Sequence, residues 1–269
     1  MSLAAFRDNA VLLTGASRGI GREMALQLAK DGAKLALGAR RSEALDQVTS
    51  ECRQRGASAV SVPVDVGEQQ DCEQLVANAV AAHGRLDTLI CNAGITMWAL
   101  FEEIEDLSIF SKIMQVNYFG SVYCTRYALP HLRKTQGRIV GVSSLTGKTG
   151  VPTRSGYAAS KHAMTGFFDT LRIELSGSGV SVTMAYPDFV ATEVRARAFG
   201  PDGKPLGKSP VQEGKVMTAD VAARQILAAA AGRRREIIMS RRGRLGLWLK
   251  LFAPGLIDRI ARRAIDRGR

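Results

Sequence analysis

Short runs of aliphatic and β-branched residues alternate along the chain with longer stretches whose apolar positions recur every three or four residues. The short runs predict strands over Ala10–Leu13, Lys34–Ala39, Ala59–Val62, Thr88–Cys91, Arg138–Val142, Ser181–Ala185 and Glu236–Met239. Between them the helical period predicts helices such as Ser42–Arg55, Gln69–His83, Ile109–Leu132, Tyr157–Leu175 and Ala219–Ala231. Alternation of this kind implies parallel strands joined by crossover helices on both faces of one sheet, a doubly wound α/β fold. Ligands of such sheets bind beyond the carboxyl ends of the strands. Thr14 to Arg18, Asn92, Ser144 and Pro187 directly follow strand candidates and so converge on one cleft.

Two pieces of chemistry stand at those strand ends. The first strand runs into Gly15, Gly19 and Gly21, with a helical stretch from Arg22 to Lys30 behind them. Glycines let a backbone turn tightly and approach a pyrophosphate, whose charge suits a helix N-terminus. The Gly-x-x-x-Gly-x-Gly spacing is neither the usual dinucleotide fingerprint nor a P-loop. Tyr157 and Lys161 stand four residues apart, about one helical turn, so their side chains share a face. An amine beside a phenol lowers a pKa of about 10 and suits the tyrosine to proton exchange near neutral pH. Ser144, thirteen residues before the tyrosine, can hold the oxygen of an alcohol or carbonyl against it. Either signal alone has an ordinary explanation, because glycines shape many strand-to-helix turns and a Tyr-x-x-x-Lys pair is frequent on helices.

Together with Asn92-Ala93-Gly94, Asn117 in a helical run and Ser143-Ser144, these motifs resemble the short-chain dehydrogenase/reductase family over nearly the whole chain. The resemblance implies a Rossmann-type fold with a mainly seven-stranded parallel sheet. It also implies hydride transfer between a nicotinamide and a carbonyl or secondary alcohol. By that likeness Tyr157 protonates the developing alkoxide, Ser144 hydrogen-bonds the same oxygen, and Lys161 tunes Tyr157 and holds the nicotinamide ribose. Asn117 supports a water linking Lys161 to solvent. Gly15, Ser17, Arg18, Gly19, Ile20 and Gly21 would cradle the pyrophosphate, with Asp65 and Val66 near the adenine. Asn92, Ala93 and Gly94 would run along the adenosine half, and Pro187, Asp188, Val190 and Thr192 would lie by the nicotinamide.

After the second strand comes Gly38-Ala39-Arg40-Arg41, without the acid that an NAD site uses to grip the ribose 2′-hydroxyl. Arg40, Arg41 and Arg18 can instead pair with a 2′-phosphate, which favours NADP(H) over NAD(H). The ordinary reading of Arg40 and Arg41 is a solvated start to the next helix. Asp188 stands where the family usually has glycine. It either replaces glycine through its tolerance of unusual backbone angles, or turns its carboxylate to the nicotinamide.

The chain has 269 residues, enough for one domain with a sizeable core. Cys52, Cys72, Cys91 and Cys124 are scattered without metal-ligand spacing, so reduced thiols and no metal are expected. His83, His131 and His162 form no pattern. No signal peptide, N-terminal anchor or membrane-spanning run is expected, and the expected location is cytoplasmic, either soluble or peripheral to the inner face of a membrane. Residues 193–218 are polar and rich in Gly and Pro, which fits a mobile substrate lid or an ordinary surface loop.

Charge changes the picture at the end of the chain. Residues 232–269 hold twelve Arg or Lys against three acids, nine units of the chain's formal net charge of +12. Within them lies the apolar Leu245–Ile257 with Trp248 and Phe252. An oxidoreductase domain over 1–240 and a basic, amphipathic extension over 241–269 are therefore expected. The extension suits anionic membrane contact, docking on a partner subunit, a wall of the substrate cleft, or packing on its own domain. No nucleic-acid recognition motif accompanies the charge.

Ser143–Lys148, Arg154–His162 and Leu251–Leu256 look like a membrane-associated branch that includes relatives of the 11-beta-hydroxysteroid dehydrogenases. That narrower likeness implies a hydrophobic, steroid- or lipid-like substrate, and the family likeness implies a homodimer or homotetramer. Reduction of a 3-oxoacyl thioester or small polar carbonyl is the alternative chemistry. An NADP(H)-sensing protein that binds a membrane or partner is the non-enzyme alternative. Asn117, Ser144, Tyr157 and Lys161 argue against the latter, since a sensor needs only the nucleotide cleft.

Overall fold

Five consecutive buried residues, Ala10–Thr14, form the first strand, β1, of a sheet whose middle is apolar on both faces. The computed structural model describes residues 4–192, 196–207 and 216–266. The remaining strands are β2 (Lys34–Ala39), β3 (Ala59–Pro63), β4 (Thr88–Cys91), β5 (Arg138–Val142), β6 (Ser181–Tyr186) and β7 (Glu236–Ile238). All pair in parallel in the order β3-β2-β1-β4-β5-β6-β7. The chain winds outward from β1 to β3, returns to β4, and winds outward the other way. The crevice between β1 and β4 is thus the topological switch point.

Alternate strand residues feed two cores. Leu13, Ile90 and Val140 point to one side, under helices α1 (Gly19–Lys30), α2 (Ser42–Gln54) and α7 (Ala219–Ala231). Leu12, Leu89 and Ile139 point to the other, under α3 (Gln69–His83), α5 (Gly120–Thr135) and α6 (Ser155–Glu174). Helices on both faces satisfy the apolar runs, which is why the strands read as nearly continuous hydrophobic segments. Gly84 ends α3 with φ of 73°, a left-handed stop that glycine adopts freely.

One helix departs from the periodic reading. The stretch expected to be continuous from Ile109 to Leu132 is divided into α4 (Ser108–Met114), a π-helical turn (Gln115–Phe119) and α5. The turn carries fully buried Asn117, whose amide holds a backbone segment after β4. Extra residues in a helical turn commonly re-aim a side chain in this way.

The chain ends in α8 (Arg241–Phe252) and α9 (Pro254–Asp266). Ser240 caps α8 by accepting from the Gly243 N–H at 2.9 Å. Gly243 packs on Leu145, where a Cβ would come within 3.1 Å of that side chain. Farther along, Lys250 Nζ donates to the Lys148 carbonyl at 2.9 Å. Part of the expected lid, residues 193–195 and 208–215, lies outside the described residues. Residues 196–207 bridge to the loop after β4, with Trp98 N donating to Phe199 O at 2.8 Å.

Candidate active site

The glycine loop is built by close approach. Gly15 has φ of +68°, and a Cβ there would lie 2.8 Å from Ala93 Cα. At Gly21 a Cβ would fall 2.1 Å from the Gly15 carbonyl oxygen. The first turn of α1 therefore passes directly over the end of β1, leaving a concave backbone surface suited to a pyrophosphate. Thr14 Oγ1 accepts from the N–H groups of Asn92 at 3.0 Å and Ala93 at 3.1 Å. Asn92 Nδ2 donates back to Thr14 O and Gly15 O. Asn92 thus ties the two central strands at the switch point. Thr192 lies over the same loop, its methyl 3.1 Å from where a Gly19 Cβ would be.

At the other end of the cleft, Ser144 follows β5 and Tyr157 and Lys161 sit on α6. Ser144 Oγ accepts from Thr146 N at 3.3 Å, closing a short turn. Lys161 is 3 % exposed, and its Nζ donates to the Val142 carbonyl at 2.9 Å. Burial lowers its pKa to about 8. Gly94 leaves room for this amine, since a Cβ there would lie 3.2 Å from Asn117 Oδ1 and 3.5 Å from Lys161 Nζ. Asn117 Oδ1 accepts from Ile95 N at 2.8 Å, while Nδ2 donates to Ile95 O and Ser160 Oγ. Ser160 in turn donates to the Tyr157 carbonyl. Asn117 lies behind the cleft wall and holds it in place.

The tyrosine departs from expectation. Burial raises the Tyr157 pKa above its ordinary value, against the lowering influence of Arg154 and a hydrogen bond with Ser144. The Lys161 amine is 5.8 Å from the centre of the Tyr157 ring and turned to the Val142 carbonyl. A shared helix face brings the two residues near one another, but desolvation of the phenol outweighs the lowering by Arg154 and Ser144.

Asp188 also corrects both of its expected roles. It is absent from the residues with left-handed backbone, so no glycine-like conformation is being met. Its carboxylate turns to the C-terminal segment, accepting from Ser240 Oγ at 2.8 Å and from Arg242 Nε at 2.8 Å and Nη2 at 3.2 Å. Burial alone would raise its pKa, but the bonds from Arg242 and Ser240 prevail and hold it below the ordinary carboxylate value.

At the adenosine end, Arg40 and Arg41 follow β2 and line the cleft with Asp65 and Val66. Arg40 Nη1 stands 3.8 Å from Asp65 Oδ2, both side chains well exposed. Asp65 Oδ1 also accepts from Gly67 N, fixing the turn after β3. A cleft of about 580 Å³ joins this end to Ser144, Tyr157 and Lys161, and every sequence-derived site residue except Asn117 lines it. The residues missed by sequence reasoning are Arg154, Ser240 and Arg242. Arg154 stands three positions before Tyr157, at the N-cap of α6, where no sequence motif marks it. Nothing in the basic run distinguishes Arg242 from its neighbours.

A family model described as short chain dehydrogenase matches residues 9–201. The 11-beta-hydroxysteroid dehydrogenase A of Sesamum indicum is 36% identical over 258 residues, covering 94% of this chain and 74% of that protein. The 11-beta-hydroxysteroid dehydrogenase-like 2 of Arabidopsis thaliana is 42% identical over 190 residues, which span 70% of this chain and 61% of the relative. A short chain dehydrogenase/reductase from Burkholderia phymatum, solved in complex with NAD, superposes with a TM-score of 0.83 at 25% identity. That match covers 94% of this chain and 96% of the other.

Proposed function

The chain belongs to the short-chain dehydrogenase family and is an oxidoreductase of alcohol and carbonyl groups; we propose that its cofactor is NADP(H) and its substrate hydrophobic, steroid- or lipid-like. The observation that carries the cofactor reading is the end of β2. Ala39 stands there without an acid, Arg40 and Arg41 follow, and Asp65, the neighbouring acid of the cleft, faces Arg40. The backbone hollow formed at Gly15, Gly21 and Gly94 fits the close approach of a dinucleotide.

When bound, the nicotinamide supplies or accepts the hydride. The chain's own residues handle the oxygen and the proton. Ser144 Oγ hydrogen-bonds the carbonyl oxygen, and Tyr157 Oη gives its proton to that oxygen as negative charge develops. A phenol held above its ordinary pKa is protonated at neutral pH and therefore loaded as an acid. Lys161 supplies positive charge below about pH 8 and would hold the nicotinamide ribose. Asn117 fixes the Gly94–Ile95 segment beside that amine. Leu145, Val151, Phe189, Phe199 and Pro205 make the substrate end apolar, which supports a hydrophobic ketone or alcohol.

Two further contacts belong to this reading. Phe119 on the π-helical turn and Ile173 on α6 are exposed and suit a homodimer or homotetramer interface. No described helix is long and apolar enough to cross a membrane. The C-terminal helices nevertheless expose Leu245, Trp248, Leu251, Phe252, Leu256 and Ile260 among arginines, which suits peripheral contact with anionic lipid.

NADPH oxidation tests the proposal across ketones of rising apolar size, with Tyr157→Phe alongside. Rates should climb with apolar size and vanish in the variant while NADPH still binds. Rates confined to small polar ketones or 3-oxoacyl thioesters would discard the substrate class. Binding without turnover would discard the enzymatic role.

A further inference from the structure

We propose that Arg154 is a positioning residue for Tyr157: a permanent cation held beside the Trp98 and Tyr157 rings that favours the phenolate form. The inference rests on the assignment of Tyr157 as the proton-exchanging group. Arg154 immediately precedes α6, one helical turn before the tyrosine, and is 8% exposed. Arginine is seldom buried to this extent without specific partners. Here its guanidinium carbon stands 4.5 Å from the centre of the Trp98 ring and 5.7 Å from that of Tyr157. Its Nη1 also donates to Thr96 Oγ1 at 3.2 Å. An ammonium can also lie near a ring and donate a hydrogen bond, so a lysine at this position keeps the charge with fewer fixed contacts.

The surrounding backbone makes that position rigid. Trp98 N donates to Phe199 O at 2.8 Å, Phe199 N to Thr96 O at 2.9 Å, and Ala99 N to Thr153 O at 3.0 Å. Three chain segments therefore meet around the guanidinium, and its charge is held against the wall of the cleft beside Tyr157.

Lys161 cannot take over this duty at alkaline pH. Its amine lies as far from the tyrosine ring, at 5.8 Å, and its pKa of about 8 means that it discharges before a phenol held above its ordinary pKa titrates. Arg154 stays charged throughout that range. Tyr157 thus meets Arg154 at the start of its helix and Lys161 on it, and from the turn after β5 it meets the neutral Ser144. Among the described residues, the other charged groups lining the cleft are Arg197, Arg18, Arg40, Arg41, Asp65 and Asp188. Asp188 is paired with Arg242 and Asp65 with Arg40. A cation near a phenol lowers its pKa by about one unit or more, so removing the charge should raise the tyrosine midpoint.

The test is a titration of tyrosinate absorbance in the full-length protein without substrate, taking the difference from a matched Tyr157→Phe background. Arg154→Met keeps much of the stem's packing and removes the charge. Its Tyr157 midpoint should rise by about one unit, and Arg154→Lys should stay nearer the parent. An unchanged or lowered midpoint in folded Arg154→Met overturns the proposal. If Arg154→Met does not fold, Arg154→Lys decides: a midpoint within half a unit of the parent supports the cation, and a rise of about one unit overturns it. The titration needs no turnover, so it stands apart from failure to find a substrate. Where turnover is measurable, the alkaline shift should reappear in the pH profile of alcohol oxidation. A uniform loss of rate with an unmoved profile would also count against the proposal.

Discussion

Replacing Asp188 with Ala should loosen α8 while leaving the sheet intact. The carboxylate is 13% exposed at its side chain and receives three hydrogen bonds from Ser240 and Arg242, whereas the Arg242 side chain is 70% exposed. A guanidinium so exposed rehydrates when its partner is removed, so the ion pair contributes only about 1 kcal/mol. The Ser240 bond to a charged acceptor adds about 1 kcal/mol more. A loss of about 2 kcal/mol in local opening free energy corresponds to roughly 30-fold faster amide exchange. Hydrogen exchange read by mass spectrometry over Arg241–Phe252 checks this, with Arg138–Val142 as the internal reference. The pH dependence has a definite sign. Because the native Asp188 pKa is depressed, its contribution is present above the unfolded carboxylate value of about 3.9 and is lost as pH falls through the native pKa. Acid should therefore speed α8 exchange in the parent relative to Asp188→Ala, after correction for intrinsic exchange. Unchanged α8 exchange in the variant, or equal acceleration of α8 and β5, would refute the local latch.

The remaining expectations concern the cofactor, the thiols and the exposed helices. Arg40→Ala and Arg41→Ala should each weaken NADPH by about tenfold or more, with little change for NADH, if each makes a charge-assisted bond to the 2′-phosphate. Fluorescence titration with both cofactors measures the ratio. All four cysteines are buried, and burial raises Cys52 to about 11 and Cys91 to about 12. A thiol reagent at neutral pH should therefore find almost no reactive cysteine until denaturant is added; rapid native labelling would contradict that burial. Trp248 and Phe252 are 66% and 81% exposed. Replacing both with Ser should lower partition onto anionic vesicles by roughly 100-fold, at about 1.5 kcal/mol or more per side chain. Flotation at low and high salt measures that loss.

The fold was readable where local sequence and tertiary burial ask for the same thing. β1, β4 and β5 are covered on both faces, so each is a short apolar run bounded by polar or glycine positions, and its limits can be read within a residue or two. Gly84 marks the end of α3 by its own backbone preference. The division between α4 and α5 had no such local mark. It is associated with Asn117 bonding to Ile95, 22 residues away in sequence, and to Ser160, 43 residues away. A periodic apolar face continues through a π-helical turn, so periodicity alone predicts one helix. Asp188 meets Arg242 across 54 residues, and one arginine in a basic run carries no sign of that partnership.

The same distinction divides the site's shape from its electrostatics. Gly15 and Gly21 are demanded by a backbone approach between adjacent elements, and Tyr157 and Lys161 share a helical turn. Spacing thus locates the cleft and its reactive groups. It does not say where a flexible amine ends, and Lys161 Nζ ends on the Val142 carbonyl. Nor does it show how far the phenol is desolvated, although desolvation is the largest influence on Tyr157. Arg154 became part of the site because Trp98 and Thr96, on the loop after another strand, fix its guanidinium there. A chain could keep Tyr157 and Lys161 at the same spacing, lose Trp98, and retain the motif while altering the electrostatic field around the tyrosine. The pH at which Tyr157 exchanges its proton is therefore a property of three packed segments, whereas the ability to place a hydroxyl, a phenol and an amine in one cleft is written into the strand and helix pattern.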